Sequence, residues 1–230
     1  QEKTGTPMRY LQVSTDEVYG DLGPDDPAFS EANPIDARNP YSATKAGADL
    51  LVHAFGRTHK VWTAITRASN NYGPRQFPEK LIPLMIANAL EDKPLPVYGD
   101  GQQVRDWIHV YDHNDAVWAV FEQAAPGAIY NIGSDNEWAN IDLVRRILGA
   151  VGKGEELIRL VEDRPGHDRR YAIDARRIHS DLGWKPRHSF EDGLTATVRW
   201  YTEHREWWER VRSGAYRDYY SAQYDARMGV

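Results

Sequence analysis

No cysteine occurs anywhere in the 230 residues, which excludes disulfides and thiolate chemistry and is compatible with a reducing compartment. Long apolar runs are missing too: the longest, Leu81 to Leu90, is broken by Pro83 and Asn88 and is too short to cross a bilayer. The opening Gln1-Glu-Lys-Thr-Gly-Thr does not read as a secretory signal. Basic charge is not in excess, since 28 Lys and Arg against 34 Asp and Glu leave a net charge of −6, mixed along the chain. Neither nucleic acid nor a membrane is therefore the expected partner, although a local basic pocket for an anionic small molecule stays open. Repeats and low-complexity linkers are absent as well. The expectation is a soluble, cytoplasmic protein.

What is present suffices for a packed core: 41% of the residues are hydrophobic and 27% charged. The length allows one large domain or one and a half. Strands are expected at Met8–Ser14, Val61–Thr66, Leu95–Tyr98, Ala128–Ile132 and Leu157–Val161. Helices are expected at Pro40–Lys60, Ile82–Glu91, His113–Ala125 behind an Asp112 cap, Ile141–Val151 and Asp174–Leu182, with one long helix from Phe190 to Arg212. In the first of these, Ala43, Leu50, Leu51, Ala54 and Phe55 form the apolar face; in the last, Leu194, Val198, Tyr201, Trp208 and Val211 do. Alternating strands and helices indicate an α/β fold with a parallel sheet.

Two constellations carry chemistry. Ser14-Thr15-Asp16-Glu17-Val18-Tyr19-Gly20 puts a hydroxyl and two acids at the C-terminal end of a buried strand, where ligands sit in open parallel sheets. Adjacent carboxylates serve acid–base work when their environments separate their pKa values; the same residues also suit an ordinary strand-to-loop turn. Tyr41-Ser-Ala-Thr-Lys45 sets a phenol and an ammonium four residues apart on one helical face. A nearby cation stabilises phenolate and makes tyrosine a usable base for an alcohol proton. His109-Val-Tyr-Asp-His113 offers two imidazoles, but 109 ends a strand and 113 lies in a helix, so a metal is not expected.

Further blocks follow: Ser69-Asn-Asn-Tyr-Gly-Pro74, Phe77-Pro-Glu-Lys-Leu-Ile-Pro83, Arg105-Asp-Trp107 and Arg164-Pro-Gly-His-Asp-Arg-Arg-Tyr-Ala-Ile-Asp174. With the two constellations, they make the chain from about Met8 to Tyr224 resemble the dTDP-glucose 4,6-dehydratases, extended short-chain dehydrogenases/reductases. The resemblance implies the C-terminal part of a doubly wound, Rossmann-like parallel sheet plus a smaller α/β substrate-binding domain. It assigns 1–75 to the remainder of the NAD-binding domain and 76–230 mainly to the sugar-nucleotide domain, with 107–135 returning to the Rossmann sheet. The glycine-rich fingerprint that cradles the NAD pyrophosphate has no counterpart in these residues, so the family's first βα units are missing from them. Gln1 to Pro7 resembles the tail of the helix preceding the first strand.

The implied reaction oxidises the sugar at C4, eliminates water across C5 and C6, and returns hydride to C6, a hydro-lyase step toward deoxysugars such as dTDP-rhamnose. Oxidation comes first because a C4 ketone acidifies the C5 proton. Under the resemblance Tyr41 takes the C4 hydroxyl proton, Lys45 lowers the Tyr41 pKa and binds the nicotinamide ribose, and Thr15 hydrogen-bonds the C4 oxygen. Glu17 removes the C5 proton and a protonated Asp16 protonates the departing hydroxyl. Ser14, Tyr41, Lys45 and Asn70 would contact NAD. Asn70, Lys80, Leu81, Pro96, Tyr98, Arg105, Asn140, Arg164, His167 and Tyr224 would bind dTDP-glucose, with Arg105, Arg164 and Lys80 as a diphosphate clamp and Tyr98 or Tyr224 on the base. The tyrosines at 216, 219, 220 and 224 with Trp207 and Trp208 would form a pocket lid, or otherwise a partner-binding tail. A homodimer is implied where the missing N-terminal part is present. Two alternatives stand beside this reading: a sister enzyme acting on UDP-glucose, and an inactive sugar-nucleotide-binding module.

Overall fold

The computed structural model describes residues 8–213; Tyr224 and the expected lid tyrosines, like the expected helix tail at 1–7, lie outside the described residues. In chain order the elements are β1 (Arg9–Thr15), α1 (Pro40–His59), β2 (Trp62–Ala68), β3 (Asn70–Tyr72), α2 (Leu81–Leu90), β4 (Leu95–Tyr98), β5 (Val104–His109), α3 (Val110–Gln123), β6 (Ala128–Ile132), β7 (Glu137–Ala139), α4 (Asn140–Val151), β8 (Ile158–Val161), β9 (Arg170–Tyr171), α5 (Arg176–Leu182), α6 (Phe190–Glu203) and α7 (Arg205–Arg212). They fall into two compact units, one of 1–71, 105–137 and 168–187, the other of 72–104, 138–167 and 188–230.

In the first unit β1, β2 and β6 form a parallel sheet in that order, with Arg9 opposite Trp62 and Ala64 opposite Ala128. The central strand β2 is buried from Thr63 onward, as expected of a parallel strand covered on both faces. Ala64, Ile108, Ala116, Val120, Ile132 and Ile178 pack into one core beneath α3 and α5. A second cluster joins Val18, Tyr19, Leu22, Phe29, Ala46 and Ile173.

Helix α1 starts where the sequence predicts, because Pro40 pre-sets the first turn and Asn39 closes a reciprocal capping box with Ser42. Its packed face differs from the expected one. Ser42, Ala46 and Asp49 are buried, whereas Leu50, Leu51 and Phe55 are 61%, 64% and 58% exposed. The apolar stripe therefore faces away from the sheet. Together with β1 and the residues leading into β2 it bounds an apolar hollow of about 240 Å³ lined by Met8, Tyr10, Leu51, Val52, Phe55, Val61 and Thr63. Strand β1 has a strand neighbour on one side only among the described residues.

Helix α3 corrects the expected Asp112 cap: it begins directly after β5, and the His109 ring nitrogen accepts the amide hydrogen of Tyr111. His109 thus caps a helix, and His113, three residues inside, is a half-buried imidazole whose pKa desolvation lowers to about 4.

The second unit holds the parallel pair β4–β8, with Leu95 opposite Ile158 and Tyr98 opposite Val161. Helix α2, buried from Ile82 to Ala89, packs against α4 and α6. Gly101 permits the close approach of the turn after β4 to α4: it sits at φ +72°, and a Cβ there would lie 2.8 Å from Ile141 and Val97 carbons. The single helix expected from Phe190 to Arg212 is instead two, α6 and α7, broken at His204, whose ring stacks on Trp200 with centroids 4.6 Å apart. Ser189 caps α6 by accepting the Asp192 amide hydrogen at 3.2 Å. Ser189→Ala is expected to cost about 1 kcal/mol, read as a melting temperature lower by about 2–4 °C. An unchanged melting temperature would remove the cap from the energetics of α6.

Candidate active site

Strand β1 ends in Thr15, and the chain turns at once into a short 3-10 helix, Asp16–Tyr19, whose cap is the Thr15 hydroxyl accepting the Glu17 amide hydrogen at 3.3 Å. That turn fixes three successive side chains at the C-terminal edge of the sheet. The Thr15 hydroxyl also donates to Asp16 Oδ1 at 3.1 Å, while Asp16 Oδ2 is buried with no hydrogen-bond partner among the described residues. Burial, and then the Glu17 charge, raise the Asp16 pKa to about 7 against the opposing pull of Thr15 and Arg105. Asp16 is therefore partly protonated at neutral pH, a carboxylic acid able to give up a proton.

Tyr41 lies in the first turn of α1, half exposed, with its phenol near enough to Thr15 for that hydroxyl to oppose the rise in its pKa. Its pKa is pushed up, first by burial and then by the Glu17 and Asp16 charges. This is the reverse of the lowering expected from Lys45, and the reason is local: the Lys45 ammonium donates to the Val13 carbonyl at 2.6 Å, while two carboxylates face the phenol. Ser14 is buried at the same strand end, and Asn70 opens β3. Thr15, Asp16, Glu17, Tyr41 and Lys45 are thus gathered at one end of β1 within one unit.

Arg105 belongs to this same unit. Its guanidinium is buried, donates to the Asp168 carbonyl at 2.8 Å, and lies 4.3 Å from the centre of the Tyr171 ring. Tyr171 donates to Asp168 Oδ2, and its pKa is driven strongly upward by burial and by that bond. Behind the site, Asp49 of α1 and Arg67 of β2 form a buried ion pair at 3.0 Å, with Arg67 also 4.8 Å from the Tyr19 ring centre. This pair ties the Tyr41 helix to the sheet.

In the second unit, Pro96 and Tyr98 lie on β4, Leu81 opens α2, and Asn140 begins α4 with its side chain buried. His167 and Tyr98 meet edge to face, 6.0 Å between ring centroids. Lys80 is exposed beside Glu79 at 3.4 Å, and Arg164 is exposed next to Asp163. Asp163 is a residue the sequence reading missed: it bonds the His167 ring at 2.6 Å and the Gln103 amide at 2.9 Å. Burial raises its pKa, but the His167 and Arg164 interactions outweigh that and leave it lowered. Asn39 was missed as well; its side-chain amide donates to Glu17 Oε2 at 3.3 Å.

The family described as GDP-mannose 4,6 dehydratase matches residues 1–197. A dTDP-glucose 4,6-dehydratase of Neisseria meningitidis serogroup B is 52% identical, over 91% of this chain and 62% of its own length. Two crystal structures share the fold. A dTDP-glucose 4,6-dehydratase from Bacillus anthracis in complex with NAD superposes with a TM-score of 0.84 at 48% identity, over 87% of this chain and 64% of that one. One from Streptomyces venezuelae, also with NAD bound, gives 0.86 at 46% identity, over 88% and 62%. The chain thus spans 62% of the length of the curated Neisseria relative.

Proposed function

The chain belongs to the GDP-mannose 4,6 dehydratase family, and from that premise we propose that it carries the catalytic and substrate-recognising portion of a dTDP-glucose 4,6-dehydratase. The observation that carries this reading is the gathering of Thr15, Asp16, Glu17 and Tyr41 at one end of β1, with Asp16 poised near neutrality. The first unit is then the remainder of the NAD-binding domain and the second the sugar-nucleotide domain.

The residues present suit the nicotinamide end of NAD. The Lys45 ammonium sits at the sheet edge with one of its three donors on Val13, leaving two for ribose hydroxyls. Ser14 follows Val13 in β1, and Asn70 opens β3. The glycine-rich turn for the pyrophosphate is not in these residues. When bound, NAD supplies the acceptor and later the donor of a hydride.

This chain's side chains do the proton work. Tyr41, beside Thr15, takes the C4 hydroxyl proton as the ketone forms, while Thr15 hydrogen-bonds the C4 oxygen. Two anions beside the phenol oppose the phenolate that has to be present to accept this proton, so the reactive form is favoured with Asp16 protonated, the state its burial promotes. Glu17 then removes the C5 proton, made acidic by the ketone, and Asp16 protonates the departing C6 hydroxyl. The like charge of Glu17 raises the Asp16 pKa, which separates the two carboxyls into a base and an acid. Recognition of the dTDP moiety falls to Lys80, Leu81, Pro96, Tyr98, Asn140, Arg164, His167 and Tyr224, and to Arg105, whose positive charge also acts on Asp16.

The test supplies NAD and dTDP-glucose in deuterated water, using this chain joined to the N-terminal portion of its Neisseria relative. The expected product is a 4-keto-6-deoxy sugar carrying deuterium at C5. Full turnover of UDP-glucose at an equal rate would replace the dTDP assignment. The second reading is a sugar-nucleotide-binding module. Calorimetry on the chain alone discriminates: dTDP heat without NAD heat, together with no product from the joined protein, establishes the module.

A further inference from the structure

We infer that Asn39 is a positioning residue that ties the Glu17 carboxylate to the first turn of the Tyr41 helix. The inference rests on the role proposed above for Glu17. Asn39 is the N-cap of α1, and its Oδ1 accepts the Ser42 amide hydrogen at 2.8 Å. The Ser42 hydroxyl reciprocates by accepting the Asn39 amide hydrogen at 3.2 Å. With Oδ1 committed to the helix, the orientation of the side-chain amide is no longer free. Its Nδ2 must point the other way, and there it donates to Glu17 Oε2 at 3.3 Å.

The chemistry requires both ends of one amide. Serine and aspartate cap helices about as well as asparagine, so the cap alone does not call for it. Serine has no second donor for the carboxylate. Aspartate would set a negative oxygen against Glu17 where an N–H now stands. A lysine or arginine would hold the carboxylate more firmly but at the cost of its basicity; an amide holds it without adding charge. Glu17's backbone is already fixed through the Thr15 hydroxyl, so the Asn39 contact acts on the side chain. Because Asn39 stands two residues before Tyr41, it sets the base and the phenol on one rigid turn.

Three other groups face Glu17 electrostatically: Asp16 beside it, Tyr41 on α1, and Tyr171 on β9. All three remain in the variants, so a change at position 39 reads against a constant background. The test follows the side-chain carbon of Glu17 by NMR against pH in the 230-residue chain, for wild type, Asn39→Asp and Asn39→Ser. The expected midpoint rises by about one pH unit in Asn39→Asp and by a few tenths in Asn39→Ser. Helix α1 amides should keep their exchange protection in both. Identical midpoints in all three proteins, with α1 protected, would overturn the inference. Should Asn39→Asp lose the helix, Asn39→Ser decides alone by the same criterion. Because this readout needs no turnover, a shifted midpoint beside an inactive joined protein counts against the dehydratase reading and in favour of the Asn39 tether.

Discussion

Asp16→Asn is expected to lower the rate of water elimination by about 10²–10⁴-fold while making the fold more stable at pH 8. The two effects share one cause. Asp16 is buried with its pKa raised from 3.8 to about 7. Between those values the folded state holds a proton that the unfolded chain has released. The stability that Asp16 contributes is therefore complete below about pH 4 and is lost as pH rises through 7. The raised pKa corresponds to a few kcal/mol across that window. Asparagine has similar volume and no charge, so it escapes this loss but has no proton to give to a leaving hydroxyl. Denaturant melts at pH 5 and pH 8 check the first half: the variant should gain at both, and by clearly more at pH 8, because at pH 5 only the first part of the loss has accrued. Single-turnover measurements on this chain joined to the N-terminal portion of its Neisseria relative check the second. There the ketone should still form while elimination stalls. A variant that eliminates water at the wild-type rate would remove Asp16 as the acid, and equal stability at both pH values would show that its proton affinity is ordinary.

The gathering of these five side chains at one strand end was legible because its determinants are local. Thr15, Asp16 and Glu17 are consecutive, and Tyr41 and Lys45 are one helical turn apart, so a strand end and a helix start suffice to bring them together. What sequence could not supply was the electrostatic setting. Arg105 and Asp106 act on Asp16 from about ninety residues away in the chain, and Tyr171 faces Glu17 from still further. The Tyr41 pKa is raised, not lowered, for a local reason: burial first, and then the Glu17 and Asp16 charges that face the phenol.

For the fold, β4 and β6 fall on the expected residues, because short apolar runs between turn signals decide them. Strands β3, β7 and β9 have two or three residues each, too few to show any periodicity. The break at His204 left no glycine or proline in the sequence; it arises where the ring stacks on Trp200 and its Nδ1 meets the Trp200 carbonyl at 2.8 Å. The packed face of α1 misled most. Periodicity selects the apolar stripe, but the buried face carries Asp49, tolerated only because Arg67 on β2 neutralises it at 3.0 Å.

That outward stripe carries the other large prediction. Adding the N-terminal third of the Neisseria relative as a separate polypeptide is expected to raise the melting temperature of this chain by about 10 °C. Met8, Tyr10, Leu51 and Phe55 are 51%, 48%, 64% and 58% exposed around the hollow beside β1. Covering them gains on the order of 4 kcal/mol at about 1.5–3 kcal/mol for each fully buried side chain. A parallel strand is normally buried on both faces and paired on both edges, whereas β1 lacks a strand neighbour on one edge among the described residues. A strand–helix unit supplies both missing parts: the strand pairs with β1 and the helix fills the hollow against α1. Hydrogen exchange should then protect β1 amides that exchange fast in the chain alone, and NAD binding should become measurable by calorimetry. Leu51→Lys with Phe55→Lys should abolish both gains while leaving the isolated chain folded, since neither side chain belongs to its core. Unchanged exchange at β1 on addition of the polypeptide would mean that the stripe serves some other surface.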